Sequence, residues 1–329
     1  MNDILEYIRL SDHILNGIPI KKLVDDGYIP KKKNPPIKIK DGKITDIILS
    51  QSLVKSIFWT GPATPHIGSW DMLPHACPWQ FYNLNVTQKY RYPQSKSMML
   101  GNFFETLCIG SGAYSKTLSI PKKYKDELNT VDEDRVYDAV ERFKRVVKET
   151  GIIIAHNNTQ VEHSIPILDT DHEDIRIKFK MVADLISPFF YQDINYDVTI
   201  IDLKLTKDRN LDFVNPYKPW ESYAWGSPEK MSMFQGTSYS EGFQMPFINL
   251  VFDIPKENPG WKVVPVKTLI SHSDDNEARL RNLEFKQGVK DTISTLVEWN
   301  NNEWPKNKGS WCTKCPVEDC EMKNFIEHV

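Results

Sequence analysis

The chain of 329 residues carries a formal net charge of −3, with 40% hydrophobic and 26% charged residues. It is long enough for one large domain or two small ones, and its near-neutral balance excludes a uniformly basic surface, so any contact with nucleic acid must use local patches. No run of about 18 apolar residues occurs, so no membrane-spanning helix is expected. Met1-Asn2-Asp3-Ile4-Leu5-Glu6 lacks the basic start and apolar core of a secretory signal.

In chain order, residues 1–55 read as an N-terminal extension broken at Lys31-Lys32-Lys33-Asn34-Pro35-Pro36, where the basic run reads as a solvated loop. Residues 59–94 are rich in Pro, His and aromatics, among them Trp59, Trp70, Trp79, Tyr82, Tyr90 and Tyr92. They read either as a local aromatic core or as a stacking platform for unpaired bases. A helix is expected over 98–109, ended by Gly110-Ser111-Gly112. Thr130-Val131-Asp132-Glu133 has the form of a capping box. The helix after it puts Val136, Val140, Phe143 and Val147 on one face and stops at Gly151.

Over 175–186 the residues alternate, which predicts a strand. Ile175, Ile177, Phe179, Met181, Ala183 and Leu185 point one way, and Arg176, Lys178, Lys180 and Asp184 the other. A loop with Pro188 and Asn195 leads to a second strand over 197–206, so an antiparallel pair is expected. Ser227-Pro228 marks a helix start, running to about Gln244. Strands over 247–254 and 261–267 follow, then a long helix over 274–299.

Asp202 and Lys204 share one face of the second strand, with Leu203 opposite. If the strands pair in register, Asp184 joins them, and Glu105 on the upstream helix adds a third carboxylate. Converging carboxylates suit a hard divalent cation such as Mg2+ or Mn2+, and a buried Asp and Lys are costly unless they serve a purpose. The other reading is a solvated salt-bridge face. His66, His75, His156, His163 and His172 are dispersed and show no metal spacing.

Five cysteines are an odd count, a poor disulfide framework and a plausible metal framework in a reducing, cytoplasmic setting. Cys312-x2-Cys315-x4-Cys320, with the distant Cys77, can give four thiolates to one centre. Zinc and a [4Fe–4S] cluster both take four thiolates, and spacing does not separate them. Cys108, inside the 98–109 helix, reads as a buried core thiol.

The order of these motifs resembles the PD-(D/E)XK nuclease superfamily, in its RecB-like branch. Gly101-Asn102-Phe103-Phe104-Glu105 resembles the first helix motif and Met181-Val182-Ala183-Asp184 the second, with Ala183 where Pro is usual. Ile200-Ile201-Asp202-Leu203-Lys204 matches the Asp-x-Lys motif, and Gln235-x3-Tyr239 resembles the Gln-x-x-x-Tyr motif of that branch. Cys77-Pro78-Trp79-Gln80-Phe81-Tyr82 with the three late cysteines is similar to the cysteine set of AddB-type and CRISPR-associated exonucleases.

The resemblance implies an α/β fold: a mixed central sheet flanked by helices, a nuclease domain over 56–329 and a cysteine-bound C-terminal lid. It implies metal-dependent DNA cleavage, most readily exonucleolytic, in replication, recombination or repair. Glu105, Asp184, Asp202 and the Leu203 carbonyl would bind Mg2+ or Mn2+, Lys204 would be the catalytic lysine, and Gln235 and Tyr239 would position substrate or Lys204. Cys77, Cys312, Cys315 and Cys320 would hold a structural [4Fe–4S] cluster, with zinc as the alternative. DNA is the implied partner, single- or double-stranded, with a helicase or recombination partner on another chain and a ring-shaped oligomer both open. Two other classes stay open: a structure-specific endonuclease or nickase on the same core, and a non-catalytic DNA-binding subunit.

Overall fold

The computed structural model describes residues 35–58, 77–89, 96–109, 130–155, 157–169, 171–206, 234–254, 258–307, 312, 315, 317, 320 and 321. The Lys31-Lys32-Lys33 run, most of the aromatic segment, Gly110-Ser111-Gly112, His66, His75, His156 and Ser227-Pro228 lie outside them. The elements are β1 (Ile37–Lys40), β2 (Lys43–Leu49), α1 (Gln51–Phe58), α2 (Pro78–Phe81) continued by a π turn (Tyr82–Val86), α3 (Lys96–Ile109), α4 (Thr130–Thr150), β3 (Thr159–Ile167), β4 (Arg176–Tyr191), β5 (Ile194–Thr206), α5 (Phe234–Phe243), β6 (Phe247–Asp253), β7 (Trp261–Val266) and α6 (Asn276–Asn301). They form an α/β protein with a mixed seven-stranded sheet, ordered β1-β2-β4-β5-β6-β7, with β3 also paired to β4. Among the described residues no helix is long and apolar enough to cross a membrane.

Two compact units share the chain. The first comprises the described parts of Gln94–His163 and Val182–Arg281. Its core is built on β6, whose seven residues Phe247–Asp253 are all buried, as expected for a strand covered on both faces. β6 runs parallel to β5, with Asp202 opposite Asn249 and Lys204 opposite Val251, and antiparallel to β7. Helix α3 brings Phe104 and α4 brings Phe143 onto Phe252, with ring centroids 5.3 and 5.9 Å apart. The face of α4 expected from its periodicity is the buried one: Val136, Val140 and Phe143 are fully covered. Gly151 ends the helix at φ +72°, the left-handed stop glycine allows.

β4 and β5 pair antiparallel, but the connection differs from the expected loop. Tyr191 pairs with Ile194, leaving Gln192 and Asp193 as a two-residue turn, and Gln192 takes φ +53° there. The register slips between Ser187 and Phe189. Pro188, which has no N–H to give the ladder, is therefore accommodated at the irregularity within the strand.

The second unit comprises the described parts of Lys33–Pro93, Ser164–Met181 and Asn282–Val329. Residues that the sequence places in the N-terminal extension form β1 and β2. β2 pairs parallel with the start of β4, Ile47 opposite Ile177 and Leu49 opposite Phe179. α6 contributes Phe285, packed edge-on against Phe179 at 5.4 Å. Phe81, Tyr82, Trp299 and Trp304 form an aromatic nest with centroid separations of 5.3 to 6.3 Å.

Gly236 sets how close α5 comes to β7. A Cβ there would lie 2.8 Å from Val266 Cγ1 and 2.9 Å from Cγ2, distances no packed pair sustains. Gly236→Ala is expected to destabilise the protein by about 1–3 kcal/mol in urea denaturation despite alanine's better helix propensity. Val266→Ala in the same chain should recover most of that loss; a purely additive double variant would contradict the close approach.

Candidate active site and cysteine-rich segment

The β4–β5 ladder runs from Tyr191↔Ile194 to Leu185↔Ile201. Past it, Leu203 N donates to Asp184 Oδ2 at 2.9 Å, so a carboxylate takes a β5 backbone N–H that a strand carbonyl would otherwise accept. β4 explains the placement. Its outward face is exposed at Arg176 and Lys178 but closes over at Asp184, 9% exposed. Period-two alternation then puts Asp202 and Lys204 together on β5: Asp202 is 3% exposed and its Oδ2 faces the Lys204 ammonium.

Four further side chains join the network. Gln235 on α5 donates from Nε2 to Asp202 Oδ1 at 2.7 Å and accepts on Oε1 from Lys204 Nζ at 3.3 Å. One turn on, Tyr239 is buried against Phe247, ring centroids 5.9 Å apart, and its hydroxyl accepts from Val182 N at 3.5 Å. Gln160 on β3 donates to Glu105 Oε1 at 2.7 Å and to Asp184 Oδ1 at 3.2 Å. Glu105, Asp184, Asp202, Leu203, Lys204, Gln235 and Tyr239 are thus one connected group within one unit. Gln160 is the member the sequence did not announce. It lies in a largely polar strand without clean alternation, and no motif points to it.

The electrostatics follow from burial and the two aspartates. Burial alone would push the Lys204 ammonium down, but Asp202 and Asp184 outweigh it and hold Lys204 above the ordinary lysine range. Lys204 is therefore a cation at neutral pH. Burial, then the charge of Asp202, pushes the Tyr239 phenol up to about 12. Cys108 is a core thiol, raised well above its ordinary value by burial and then by Glu105.

Among the described residues no three His, Cys, Asp or Glu side chains are grouped so as to hold a metal ion as they stand. Protein donors engage the carboxylates instead: Gln160 between Glu105 and Asp184, Lys204 and Gln235 on Asp202. The donor set still fits a hard dication. It offers carboxylate oxygens from three elements, and among the described residues Asp202 Oδ2 is buried with no hydrogen-bond donor besides the Lys204 ammonium.

In the second unit the Cys77 segment and the chain before the late cysteines are tied together. Trp79 N donates to Pro305 O at 3.2 Å, and Lys306 Nζ lies 5.3 Å from the Trp79 ring centre. Asn307 N donates to Cys77 Sγ at 3.5 Å, Gln80 Nε2 to Cys315 Sγ at 3.2 Å, and Cys312 Sγ to Asn307 O at 3.8 Å. Cys77, Cys312 and Cys320 are buried and Cys315 is half-buried. N–H groups aimed at sulfur suit thiolates, whose charge they stabilise. His163 lies tilted against the Phe243 ring and His172 pairs with Asp169; neither joins either group.

No protein-family profile matches the chain, and no curated protein matches it. Among solved structures, one titled "Crystal structure of SSO0001" is 16% identical and covers 61% of this chain and 80% of its own, with a TM-score of 0.27. A likeness at that level carries no argument about function.

Tyr239 gives the site a pH signature. The folded state favours the neutral phenol, so the unfolded chain releases that proton first, as pH passes the ordinary value of 10. The phenol's contribution is full below pH 10 and is lost between pH 10 and about 12. Tyr239→Phe should therefore flatten part of the alkaline fall in the urea midpoint over that window; an identical fall in both proteins would contradict the burial argument.

Proposed function

We propose that the protein is a metal-dependent DNA nuclease of PD-(D/E)XK type, RecB-like, most readily an exonuclease. The observation that carries the reading is the meeting of Asp184, Asp202 and Lys204 where the β4–β5 ladder ends: Asp184 bonds Leu203 N, and Asp202 pairs with Lys204. A chance Asp-x-Lys on an exposed strand would be solvated, whereas this one is buried at Asp202 and held by Gln235 and Asp184 from separate elements. The motif order along the chain adds to it.

Glu105, Asp184 and Asp202 would hold the divalent ion, with the Leu203 carbonyl as a further oxygen donor. Mg2+ or Mn2+ supplies neutralisation of phosphate charge and a lowered pKa for the attacking water. Lys204, a cation at neutral pH, stabilises the negative charge that develops on the phosphate oxygens. Gln235 keeps Lys204 and Asp202 in fixed geometry through one amide. Tyr239 stays a neutral phenol and buttresses the start of the β4 segment at Val182.

Cys77, Cys312, Cys315 and Cys320 would hold a structural [4Fe–4S] cluster, with zinc the competing occupant. What supports this is the joining of the Cys77 segment to Pro305, Asn307 and Cys315 through Trp79–Pro305, Asn307–Cys77 and Gln80–Cys315. Anaerobically purified protein should carry about four iron and four sulfide per chain, lost in Cys77→Ser. Stoichiometric zinc without sulfide would assign the site to zinc.

With Mg2+ or Mn2+, the protein is expected to degrade linear DNA and leave covalently closed circles intact. Lys204→Ala should lower that rate about 100- to 1000-fold. Cutting of closed circles would move the reading to an endonuclease or nickase. Metal-dependent cleavage of neither would leave a DNA-binding subunit.

A further inference from the structure

Gln160 stands at the start of β3 with φ +51°, a left-handed backbone that a residue with a Cβ adopts only at a cost. Its Nε2 lies 2.7 Å from Glu105 Oε1 and 3.2 Å from Asp184 Oδ1. One amide nitrogen therefore directs its two N–H bonds at two carboxylates from two other elements, α3 and β4. A partial positive charge thus sits between the groups that a divalent ion would neutralise. Oxygen donors close on such ions at roughly 2.0–2.6 Å, so the carboxylates that now embrace the amide nitrogen would need only a small contraction to embrace an ion there. The amide and the ion compete for the same oxygens.

We propose that Gln160 is a positioning residue that gates metal entry. Its amide holds Glu105 and Asp184 together while the site is empty of metal, and it is displaced when a divalent cation binds. The inference rests on the reading of Glu105 and Asp184 as metal ligands. It assigns a role to the strained backbone, which aims the amide from a strand that belongs to neither ligand's element.

The substitution that isolates the amide is Gln160→Asn. Asn tolerates positive φ better than most residues, so the backbone is preserved, while a side chain one methylene shorter cannot span both carboxylates from the same position. Gln160→Gly keeps the backbone conformation with no amide at all. Removing the bridge leaves two carboxylates facing each other without this donor. The metal-free protein then loses stability, and the competitor for the ion is gone.

The experiment is isothermal titration of the full chain with Mn2+, joined to thermal unfolding with and without Mn2+, for wild type, Gln160→Asn, Gln160→Gly and Asp184→Asn. Both Gln160 variants are expected to bind Mn2+ about tenfold more tightly than wild type, the gain from losing one charge-assisted competitor. Their unfolding midpoints should fall without Mn2+ and recover with it. Unchanged or weaker Mn2+ binding in both variants overturns the gate while leaving the ligand assignment standing. Wild-type protein that binds no Mn2+ in an Asp184-dependent way overturns the ligand assignment and the gate together.

Discussion

Carboxylates gathered at the buried end of a strand pair cannot remain there uncompensated. Two like charges about 4 Å apart repel by roughly 4 kcal/mol in a surrounding of intermediate polarity, and burial adds a desolvation cost for each. Protein donors among the described residues answer this. Leu203 N–H and the Gln160 amide serve Asp184, and Gln160 also serves Glu105. The Lys204 ammonium and the Gln235 amide serve Asp202. The donors on β5 and α5 come from elements the core already fixes. β5 lies against the fully buried β6, and α5 is brought onto β7 by the absence of a side chain at Gly236. The site is in this sense a consequence of the packing: shift α5 outward and Gln235 no longer spans Asp202 and Lys204.

The second unit poses a separate problem with a different chemistry. Its ligand candidates are thiols, soft donors held by N–H groups and carried on a segment packed into an aromatic nest of Phe81, Tyr82, Trp299 and Trp304. Oxygen donors in one unit and sulfur donors in the other would sort hard from soft metals by ligand type alone. Under the proposed function the first set does chemistry and the second ties distant parts of the chain together.

Much of the first unit was legible in the sequence because its signals are strong and local. Period-two alternation located β4 as far as residue 186 and placed Asp202 and Lys204 on one face of β5. The 3.6 period of α4 placed Val136, Val140 and Phe143 on its buried face, and Gly151 marked its end. What the sequence did not reveal depends on partners far along the chain. Pro188 read as a loop because proline lacks a ladder donor, yet a register slip lets β4 run through it. Residues 37–49 read as an extension because the alternation of Ile37-Lys38-Ile39-Lys40 is only four residues long, while pairing of β2 with β4 makes them part of the sheet. Gln160 was invisible for the same reason: its role comes from a left-handed backbone and from two carboxylates, 55 and 24 positions away.

The central claim is that Glu105, Asp184 and Asp202 form a divalent-metal centre. Anomalous diffraction from crystals soaked in Mn2+ tests it most directly, because it reports the position of the ion independently of activity. The account predicts a Mn2+ peak bonded to oxygens of Glu105, Asp184 and Asp202, with the Gln160 amide turned away from the carboxylates. A peak elsewhere, or no peak with Gln160 still bridging Glu105 and Asp184, would contradict it.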